Sequence, residues 1–259
     1  MDEAMDVTES VDLGALEAGE GLDVDVIPRA DEVDAAWCLR FMRAVRDAAF
    51  ATVDADGLPS VRVIDVMAVS PDEGKLYFLA PRGKTFHADV MRERYAAIVV
   101  QTPDFRTCRL RGRVVRPEGT DVQRALVDAL FALNPSMNMI YAGENRYICD
   151  VFCIEDGEGE YFDLGQRPVF RHGFTLSEAR SDVRGASKAH VGACGLFEIT
   201  QACTGCGACT AVCPEGCIAL IVGGASADGA RGRFTIDQEH CLRCGICYET
   251  CAHGAVERR

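Results

Sequence analysis

The sequence has no long hydrophobic run, no basic patch and no secretory signal. Nothing in its 259 residues approaches the roughly 18 consecutive apolar residues that a membrane helix needs. The opening stretch, MDEAMDVTES, lacks the basic and apolar regions of a signal peptide. Clustered lysine and arginine, which would favour nucleic-acid binding, are also missing. We therefore expect a cytoplasmic protein with neither a membrane nor a nucleic acid as partner.

Aromatic residues are absent from the first 34 residues, and positive charge is scarce there. This stretch holds twelve acidic side chains and one basic side chain, Arg29, so it accounts for most of the formal net charge of −13. Acidic segments without aromatics bury too little apolar surface to fold. We predict that residues 1–29 form an acidic disordered tail. A segment that docks a partner is the alternative.

Cysteine, in contrast, is abundant. Eight of the 14 cysteines form two copies of one pattern, in which three cysteines are spaced by three and a fourth follows four residues later. The first run is Cys203-x2-Cys206-x2-Cys209-x3-Cys213, and the second is Cys241-x2-Cys244-x2-Cys247-x3-Cys251. This is the ligand pattern of bacterial [4Fe–4S] ferredoxins.

The pattern also predicts how the ligands are shared. In two-cluster ferredoxins the first three cysteines of a run bind one cubane and the fourth binds the other cluster. The first predicted ligand set is Cys203, Cys206, Cys209 and Cys251. The second is Cys241, Cys244, Cys247 and Cys213.

Zinc and disulfides are the competing interpretations of these cysteines. CxxC pairs also bind zinc, but two zinc ions would leave the regular three-plus-one spacing unexplained. Disulfides fit poorly with a chain that has no signal peptide. Pro214 follows the first run as in ferredoxins, whereas Ala252 takes that place after the second. We predict two [4Fe–4S] clusters in a small α+β ferredoxin-like domain at residues 201–259.

Short strands and turns alternate with a few helices ahead of the cysteine runs. The periodicity predicts a helix over 31–47 and a meander of antiparallel strands after it. Near the end of this region we predict two separate strands, 148–154 and 160–164, with a turn at Asp156-Gly157. The pattern is mainly β with some α and favours an antiparallel β-barrel over 30–174.

The barrel and the cysteine runs are separated by residues 175–200, where serine and glycine are scattered among charges. We predict an irregular linker there. Between the two cysteine runs, the apolar stretches 218–222 and 233–236 flank a polar, glycine-rich segment. This arrangement predicts a hairpin with a long tip.

A candidate phosphate site lies in the barrel region. Arg62 is on a predicted strand, and residues 82–85 (Arg-Gly-Lys-Thr) form a turn between a strand and a helix. Helix N-termini and arginine both bind phosphate well. Exposed basic turns are common, however, so solvated charges are the default interpretation of these residues alone.

Residues 30–165 resemble the pyridoxamine 5′-phosphate oxidase-like family of flavin-binding split barrels. The resemblance rests on the order and spacing of four stretches, 51–64, 75–80, 83–85 before a helix, and 106–115. It implies an antiparallel split β-barrel that binds FMN at the interface of a homodimer. The Ser-Arg-Lys run of the oxidase branch is replaced by Arg-Gly-Lys at 82–84, which argues against pyridoxamine phosphate oxidation itself.

The resemblance also implies which residues contact FMN. Arg62 and Lys84, assisted by Thr85, would hold the phosphate, and most of the others would border the isoalloxazine. Thr107 falls near a position that contacts flavin in the oxidase branch. The full set is Arg62, Val63, Ile64, Ala80, Pro81, Lys84, Thr85 and Thr107.

Together these features predict an FMN-dependent reductase. Clusters move single electrons, and a flavin collects two and delivers them as a hydride to a small organic substrate. An electron-donor protein is an expected partner. The alternatives are an electron-transfer protein or subunit without its own substrate, and a flavin- or haem-binding module. No catalytic residue is assigned: Asp65, His87 and Tyr141 are candidate proton donors, but solvated or packing roles explain each more simply.

The remaining cysteines are predicted to be packing residues. This set is Cys38, Cys108, Cys149, Cys153 and Cys217. Cys194 follows His190 by four residues, so this pair is a second, weaker candidate for a metal site.

Overall fold

The structure is a computed structural model of the chain. It describes residues 11–19, 22–176, 197–221 and 232–258. Within these ranges the chain forms two compact units. The barrel unit consists of the residues up to 102, of 107–159 and of 174–176. The C-terminal unit consists of 103–106, 160–173 and the residues from 197 onward.

The secondary structure of the described residues begins with a helix and continues with antiparallel strands. The helices are α1 (Ala35–Val45), α2 (Thr85–Glu93), α3 (Thr120–Leu133), α4 (Ala208–Ala211) and α5 (Ile246–Thr250). The strands are β1 (Asp47–Val53), β2 (Pro59–Asp65), β3 (Ala68–Ser70), β4 (Lys75–Pro81), β5 (Tyr95–Gln101), β6 (Arg106–Val115), β7 (Cys149–Asp163), β8 (Phe170–Thr175), β9 (Phe197–Ile199), β10 (Ile218–Ile221), β11 (Arg233–Ile236) and β12 (Val256–Arg258). Short 3₁₀ turns occupy Leu13–Ala15, Ala30–Glu32, Pro135–Met139 and Gly143–Ile148. None of the helices in the described ranges has the length and apolarity that a membrane crossing requires.

The barrel unit is built on an antiparallel sheet. The strand order is β2-β1-β5-β6-β7-β4-β3, and β8 pairs with β7. In the β1–β2 hairpin, Phe50 lies opposite Arg62 and Thr52 lies opposite Ser60. The predicted fold class, a mainly antiparallel barrel-like sheet with a few helices followed by a small α+β domain, is confirmed.

Alternation in β6 shows how the sequence specifies the two faces of this sheet. Successive side chains of a strand point to opposite faces. Arg109, Arg111 and Arg113 are exposed, whereas Leu110 and Val114 are buried. The polar and apolar residues therefore separate as the period-two pattern of the sequence predicts.

The core of the barrel unit contains a cluster of phenylalanines. The ring of Phe78 lies 4.9 Å from Phe50, 5.6 Å from Phe152 and 5.8 Å from Phe86, measured between centroids. All four side chains are buried. Because Phe86 is in the first turn of α2, this packing fixes the start of that helix against the sheet.

Strand β7 runs through the predicted turn at Asp156-Gly157 without a break, so that prediction is wrong. The glycine serves a close approach between strands. A Cβ atom on Gly157 would collide with the carbonyl oxygen of Arg111, and one on Gly112 would collide with that of Asp156. Only residues without a side chain fit where β6 and β7 come this close.

The prediction of a disordered tail is wrong for residues 11–19. Glu17 pairs with Val69 through two backbone hydrogen bonds of 2.7 and 3.1 Å, and its carboxylate accepts two hydrogen bonds from Arg40. Val11 and Leu16 pack against the core of the barrel unit. The overall acidic composition of this segment gave no sign that Val11 and Leu16 would pack against the core. Residues 1–10, 20 and 21 lie outside the described residues.

The C-terminal unit holds two small antiparallel sheets, β10–β11 and β9–β12. The predicted hairpin is present, with Ile218 opposite Ile236. The predicted linker boundaries differ from the structure at both ends. Leu176 donates a backbone hydrogen bond to Gly157, and residues 197–199 form β9. The rest of that linker, 177–196, lies outside the described residues.

Candidate cofactor sites

Each predicted set of cysteine ligands lines its own cavity in the C-terminal unit. One cavity is lined by the first set, Cys203, Cys206, Cys209 and Cys251. The other is lined by the second set, Cys241, Cys244, Cys247 and Cys213. Thus the fourth cysteine of each run lies with the first three of the other run, as the ferredoxin pattern requires.

The two cysteine loops share one backbone geometry. The amide of Gly205 donates to the Sγ of Cys203 at 3.4 Å, and the amide of Arg243 donates to the Sγ of Cys241 at 3.3 Å. Gly207 and Gly245 precede α4 and α5 in left-handed conformations, with φ of 75° and 84°. Such N–H···S bonds are among the features that tune iron–sulfur clusters.

The environment of these cysteines disfavours a group of ionised thiolates unless a metal is bound. Burial raises the pKa of Cys247 to about 11, and the nearby Cys241 acts in the same direction. Burial likewise raises the pKa of Cys209. Each set has two buried thiols, one half-buried and one exposed, and thiols crowded in this way ionise together only when a cation compensates their charge. The residues therefore fit a bound iron–sulfur cluster.

Cys217 is a fifth thiol at the second cavity. Its Sγ lies 3.5 Å from the Sγ of Cys213, and it also lines the cavity. Burial, followed by the neighbouring Cys213, raises its pKa strongly. It is buried, in line with the packing role predicted for it.

The barrel unit has a cavity of about 440 Å³. Volumes of this size are common for cofactor sites. Six of the eight residues implied in FMN binding line it, namely Arg62, Val63, Ile64, Pro81, Lys84 and Thr85. Of the other two, Ala80 is fully buried in β4 and Thr107 accepts a hydrogen bond from Gln101 on the neighbouring strand. Neither is among the residues that line the cavity.

The basic end of this cavity is built by β2 and α2. The guanidinium of Arg62 lies over the ring of Phe86 at 4.9 Å and 3.5 Å from the buried carboxylate of Asp89. It also donates to Thr52 at 2.7 Å. Lys84 is the residue before α2, and no side chain caps that helix. The amides of its first turn and the Lys84 ammonium therefore offer positive charge to an anion.

The other wall is apolar and comes partly from the 3₁₀ turns after α3. No local pattern marked these residues, because the turns have no helical or strand period. Burial raises the pKa of one of the wall residues, Cys149, to about 11, so it is a neutral thiol at pH 7. The added lining residues are Met67, Leu79, Phe86, Met137, Ile140, Tyr141 and Cys149.

Two of the three candidate proton donors line the cavity. Asp65 is ion-paired with Arg46 at 2.8 Å, and burial raises the pKa of Tyr141. His87 is not among the lining residues: its Nε2 lies 2.8 Å from the carboxylate of Asp150.

Asp150, which follows the lining residue Cys149, is a buried carboxylate at the centre of a charge network whose two arginines are partly exposed. Burial alone would raise its pKa, but hydrogen bonds from Arg116, His87 and Arg82 outweigh that effect and lower the pKa to about 2. The distances are 2.9 Å to Arg116, 2.8 Å to His87 and 3.0 Å to Arg82. Arg82, one of the basic residues of the turn 82–85, is thus held by a carboxylate.

A second buried charge network lies in the C-terminal unit. The carboxylate of Glu160 accepts from Arg171 at 3.0 Å and from Arg243 at 2.9 Å. Arg171 also donates to the carbonyl oxygen of Cys241 at 3.0 Å and covers the ring of Phe162 at 3.6 Å. The sequence could not indicate this network, because its members are far apart in the chain.

The other cysteines of the barrel unit, Cys38, Cys108, Cys149 and Cys153, are buried. This burial agrees with the packing role predicted for them. Cys194 and His190, the weaker candidate for a metal site, lie outside the described residues.

Residues 202–255 match the model of a protein family described as 4Fe-4S dicluster domain. The match confirms the prediction that this part of the chain is an iron–sulfur domain of the [4Fe–4S] ferredoxin type. A curated relative is an iron-sulfur subunit of the CoB–CoM heterodisulfide reductase of Methanocaldococcus jannaschii, 38% identical over 81 residues. The alignment covers 24% of this chain and 12% of that protein, so the chain spans only a small part of this relative's length.

Solved structures with a similar arrangement cover about half of the chain. One is a NimC/NimA family protein from Clostridium acetobutylicum, with a TM-score of 0.46 and 20% identity over 54% of this chain and 90% of that one. Another is a pyridoxamine 5′-phosphate oxidase-related, FMN binding protein from Nostoc punctiforme, with a TM-score of 0.43 and 17% identity over 56% of this chain and 89% of that one. A third is a heme binding protein from Mycobacterium smegmatis, with a TM-score of 0.44 and 15% identity over 58% and 60%.

Proposed function

We propose that the protein is an oxidoreductase that holds two [4Fe–4S] clusters in its C-terminal unit and FMN in its barrel unit. The clusters pass single electrons to or from the flavin, which reduces a small organic substrate. The observation that carries the redox assignment is the sorting of eight cysteines into two sets of four around two cavities. Zinc also binds four thiolates, but the three-plus-one spacing of each run is the ligand pattern of [4Fe–4S] ferredoxins.

The barrel cavity supports a flavin with its phosphate at the α2 end. Lys84 and the amides of the first turn of α2 would bind the phosphate, and Arg62 would contribute its charge from β2. FMN, when bound, supplies hydride chemistry. The apolar wall around Met67, Leu79 and Phe86 would exclude water from the ring system.

We further propose that the protein is a homodimer in the cytoplasm. Val61 and Val63 lie on β2, an edge strand of the barrel sheet, and are 65% and 69% exposed. A second copy packed there would bury these side chains beside the cavity. The cytoplasm is reducing, as the free thiols and the oxygen-sensitive clusters require. Light scattering coupled to size-exclusion chromatography measures the molar mass in solution. Twice the chain mass of 28.1 kDa supports the dimer, and a monomer contradicts it.

The first experiment measures the cofactors of the chain. Protein purified without oxygen should contain about eight iron and eight sulfide per chain, because each cubane has four of each. Reconstitution with FMN should add flavin absorption bands. Zinc without acid-labile sulfide would contradict the cluster assignment, and failure to retain flavin would contradict the FMN assignment.

The second experiment tests the phosphate end of the cavity. Arg62→Ala combined with Lys84→Ala should lose FMN and leave the iron content unchanged. Arg111→Ala combined with Arg113→Ala is the matched control, because it removes two exposed arginines from β6 outside the cavity. Equal FMN retention in the two double variants would count against the site.

The third experiment separates an enzyme from an electron carrier. The reconstituted protein is given a low-potential electron donor and a panel of enones and nitro compounds. Substrate turnover supports the reductase. Flavin reduction without turnover supports instead an electron-transfer protein or subunit, and the relative in Methanocaldococcus jannaschii is itself named as one subunit of a larger enzyme.

A further inference from the structure

The buried charge network of the C-terminal unit differs between the two cysteine loops. Gly205 and Arg243 occupy the same position, two residues after the first cysteine of their runs, and both have positive φ, 72° and 59°. Glycine adopts this conformation freely, whereas it is strained for a residue with a side chain. The backbone of the first loop is therefore unstrained at Gly205. The second loop has a charged residue, Arg243, in a strained conformation at the same position.

The side chain of Arg243 is buried and held in place. It is 11% exposed and pairs with Glu160, which is 3% exposed. Glu160 also pairs with Arg171, 10% exposed, which donates to the carbonyl oxygen of Cys241. Two guanidiniums and one carboxylate thus lie beside the second loop, and these three side chains together carry one positive charge in excess.

Of the other charges on the elements packed around this loop, the carboxylate of Glu215 opposes this excess, and its partner Arg167 is 70% exposed. Glu215, near Cys213, is 4% exposed, accepts from the amide of Val169 and lies 4.0 Å from the guanidinium of Arg167. Asp237 is paired with His240 at 2.7 Å, and both are partly exposed. Within the network, Arg171 contacts the backbone of the second loop directly, through the carbonyl oxygen of Cys241.

We infer that Glu160, Arg171 and Arg243 are positioning residues that raise the reduction potential of the cluster held by the second cysteine set. This inference rests on the proposed two-cluster function. A cluster gains one negative charge when it takes up an electron. Nearby net positive charge in a poorly solvated site stabilises that reduced state. Because the first loop has glycine at the corresponding position, we expect the larger effect on the cluster held by the second set.

The test is a redox titration of the full, anaerobically reconstituted chain, followed by electron paramagnetic resonance. Arg243→Gln should lower one midpoint potential more than the other. We expect at least a tenfold change in the ratio of reduced to oxidised cluster at a fixed potential, which is 59 mV for one electron. Arg243→Lys keeps the charge and the backbone strain, so its midpoints should stay near those of the wild type.

Glu160→Gln provides a change of opposite sign. It keeps the size of the side chain but removes the negative charge, so the same midpoint should rise. A merely structural role would not move one midpoint in two directions. Arg258→Gln, on an exposed position of β12, is the control for general loss of a positive charge. If Arg243→Gln fails to take up iron, the Glu160→Gln titration decides alone.

The inference is overturned if neither midpoint moves, if both midpoints move by the same amount, or if the two variants shift the midpoint in the same direction. The failure of the proposed function looks different. In that case the wild-type chain itself lacks eight iron atoms and eight sulfides, and this inference falls with it.

Discussion

The buried core of the barrel unit consists mainly of aromatic and aliphatic side chains, whereas five of the eleven residues in the core cluster of the C-terminal unit are cysteines. The barrel unit also has longer strands, such as β1, β4 and β5 with seven residues each. The C-terminal unit has strands of three or four residues and helices of four and five. The comparison teaches that one unit folds on apolar burial and the other depends on what its cysteines bind.

Removal of iron is expected to have the largest effect and to separate the two units. A chelator under reducing conditions should abolish the protection of amides in β10 and β11, because binding energy is folding energy in small metal-binding units. Amides in β4 should keep their protection. Hydrogen exchange followed by mass spectrometry measures both. Unchanged protection of β10 and β11 after iron loss would contradict the conclusion that the C-terminal unit depends on what its cysteines bind.

Phe78→Ala should destabilise the barrel unit by about 3–5 kcal/mol, because a buried phenylalanine leaves a cavity when it is truncated. Its side chain is fully buried at the centre of the phenylalanine cluster. The single tryptophan, Trp37 in α1, reports unfolding of this unit in urea. Met139→Ala, at an 85% exposed position, should change the free energy of unfolding by less than about 0.5 kcal/mol. Equal effects of the two variants would contradict the assigned core.

Asp150→Asn should cost about 2 kcal/mol at pH 7, since the pKa of Asp150 is lowered to about 2 from an ordinary value of 3.8. A lowered carboxyl pKa contributes stability that is complete above the unfolded pKa and is lost as the pH falls through the folded pKa. The difference from the wild type should therefore shrink between about pH 4 and pH 2. Urea unfolding at several pH values measures it, with Asp56→Asn in an exposed turn as control. A difference that does not depend on pH would refute the assignment.

The smallest expected effect concerns the start of α1. The carboxylate of Asp34 accepts a hydrogen bond of 2.7 Å from the amide of Trp37. Asp34→Ala should cost about 1 kcal/mol, and Asp34→Ser should recover most of that loss, because serine is also a good N-cap. Both values come from the Trp37 unfolding curve. Iron content should be the same in both variants, as in the other changes to the barrel unit.

Much of the fold followed from local signals. The helical period placed α1 to within four residues, and the apolar stretches 218–222 and 233–236 placed the hairpin of β10 and β11. The turn at Asp156-Gly157 was wrong because glycine marks close strand approach as well as turns. Whether Gly157 marks a turn or a close approach of strands depends on its neighbour Gly112 on β6. Gly112 is 45 positions away in the chain, so no local pattern includes it.

The residues of the candidate sites also fall into two groups, those that a local sequence pattern predicts and those that it does not. The cysteine sets were predictable because ligand spacing is a local property of the chain. The apolar wall that includes Met137, Ile140 and Tyr141 was not, because the 3₁₀ turn 135–139 and the bend after it show no helical or strand period. The network of Glu160, Arg171 and Arg243 was hidden for another reason: it forms only when 160–173 joins the C-terminal unit, although their sequence reads as part of the barrel.

The exchange of Cys213 and Cys251 between the two loops means that each cavity takes thiols from both halves of the repeat. Removal of one whole loop would therefore strip thiols from both cavities. Assembly of either site thus requires that the two halves have already come together.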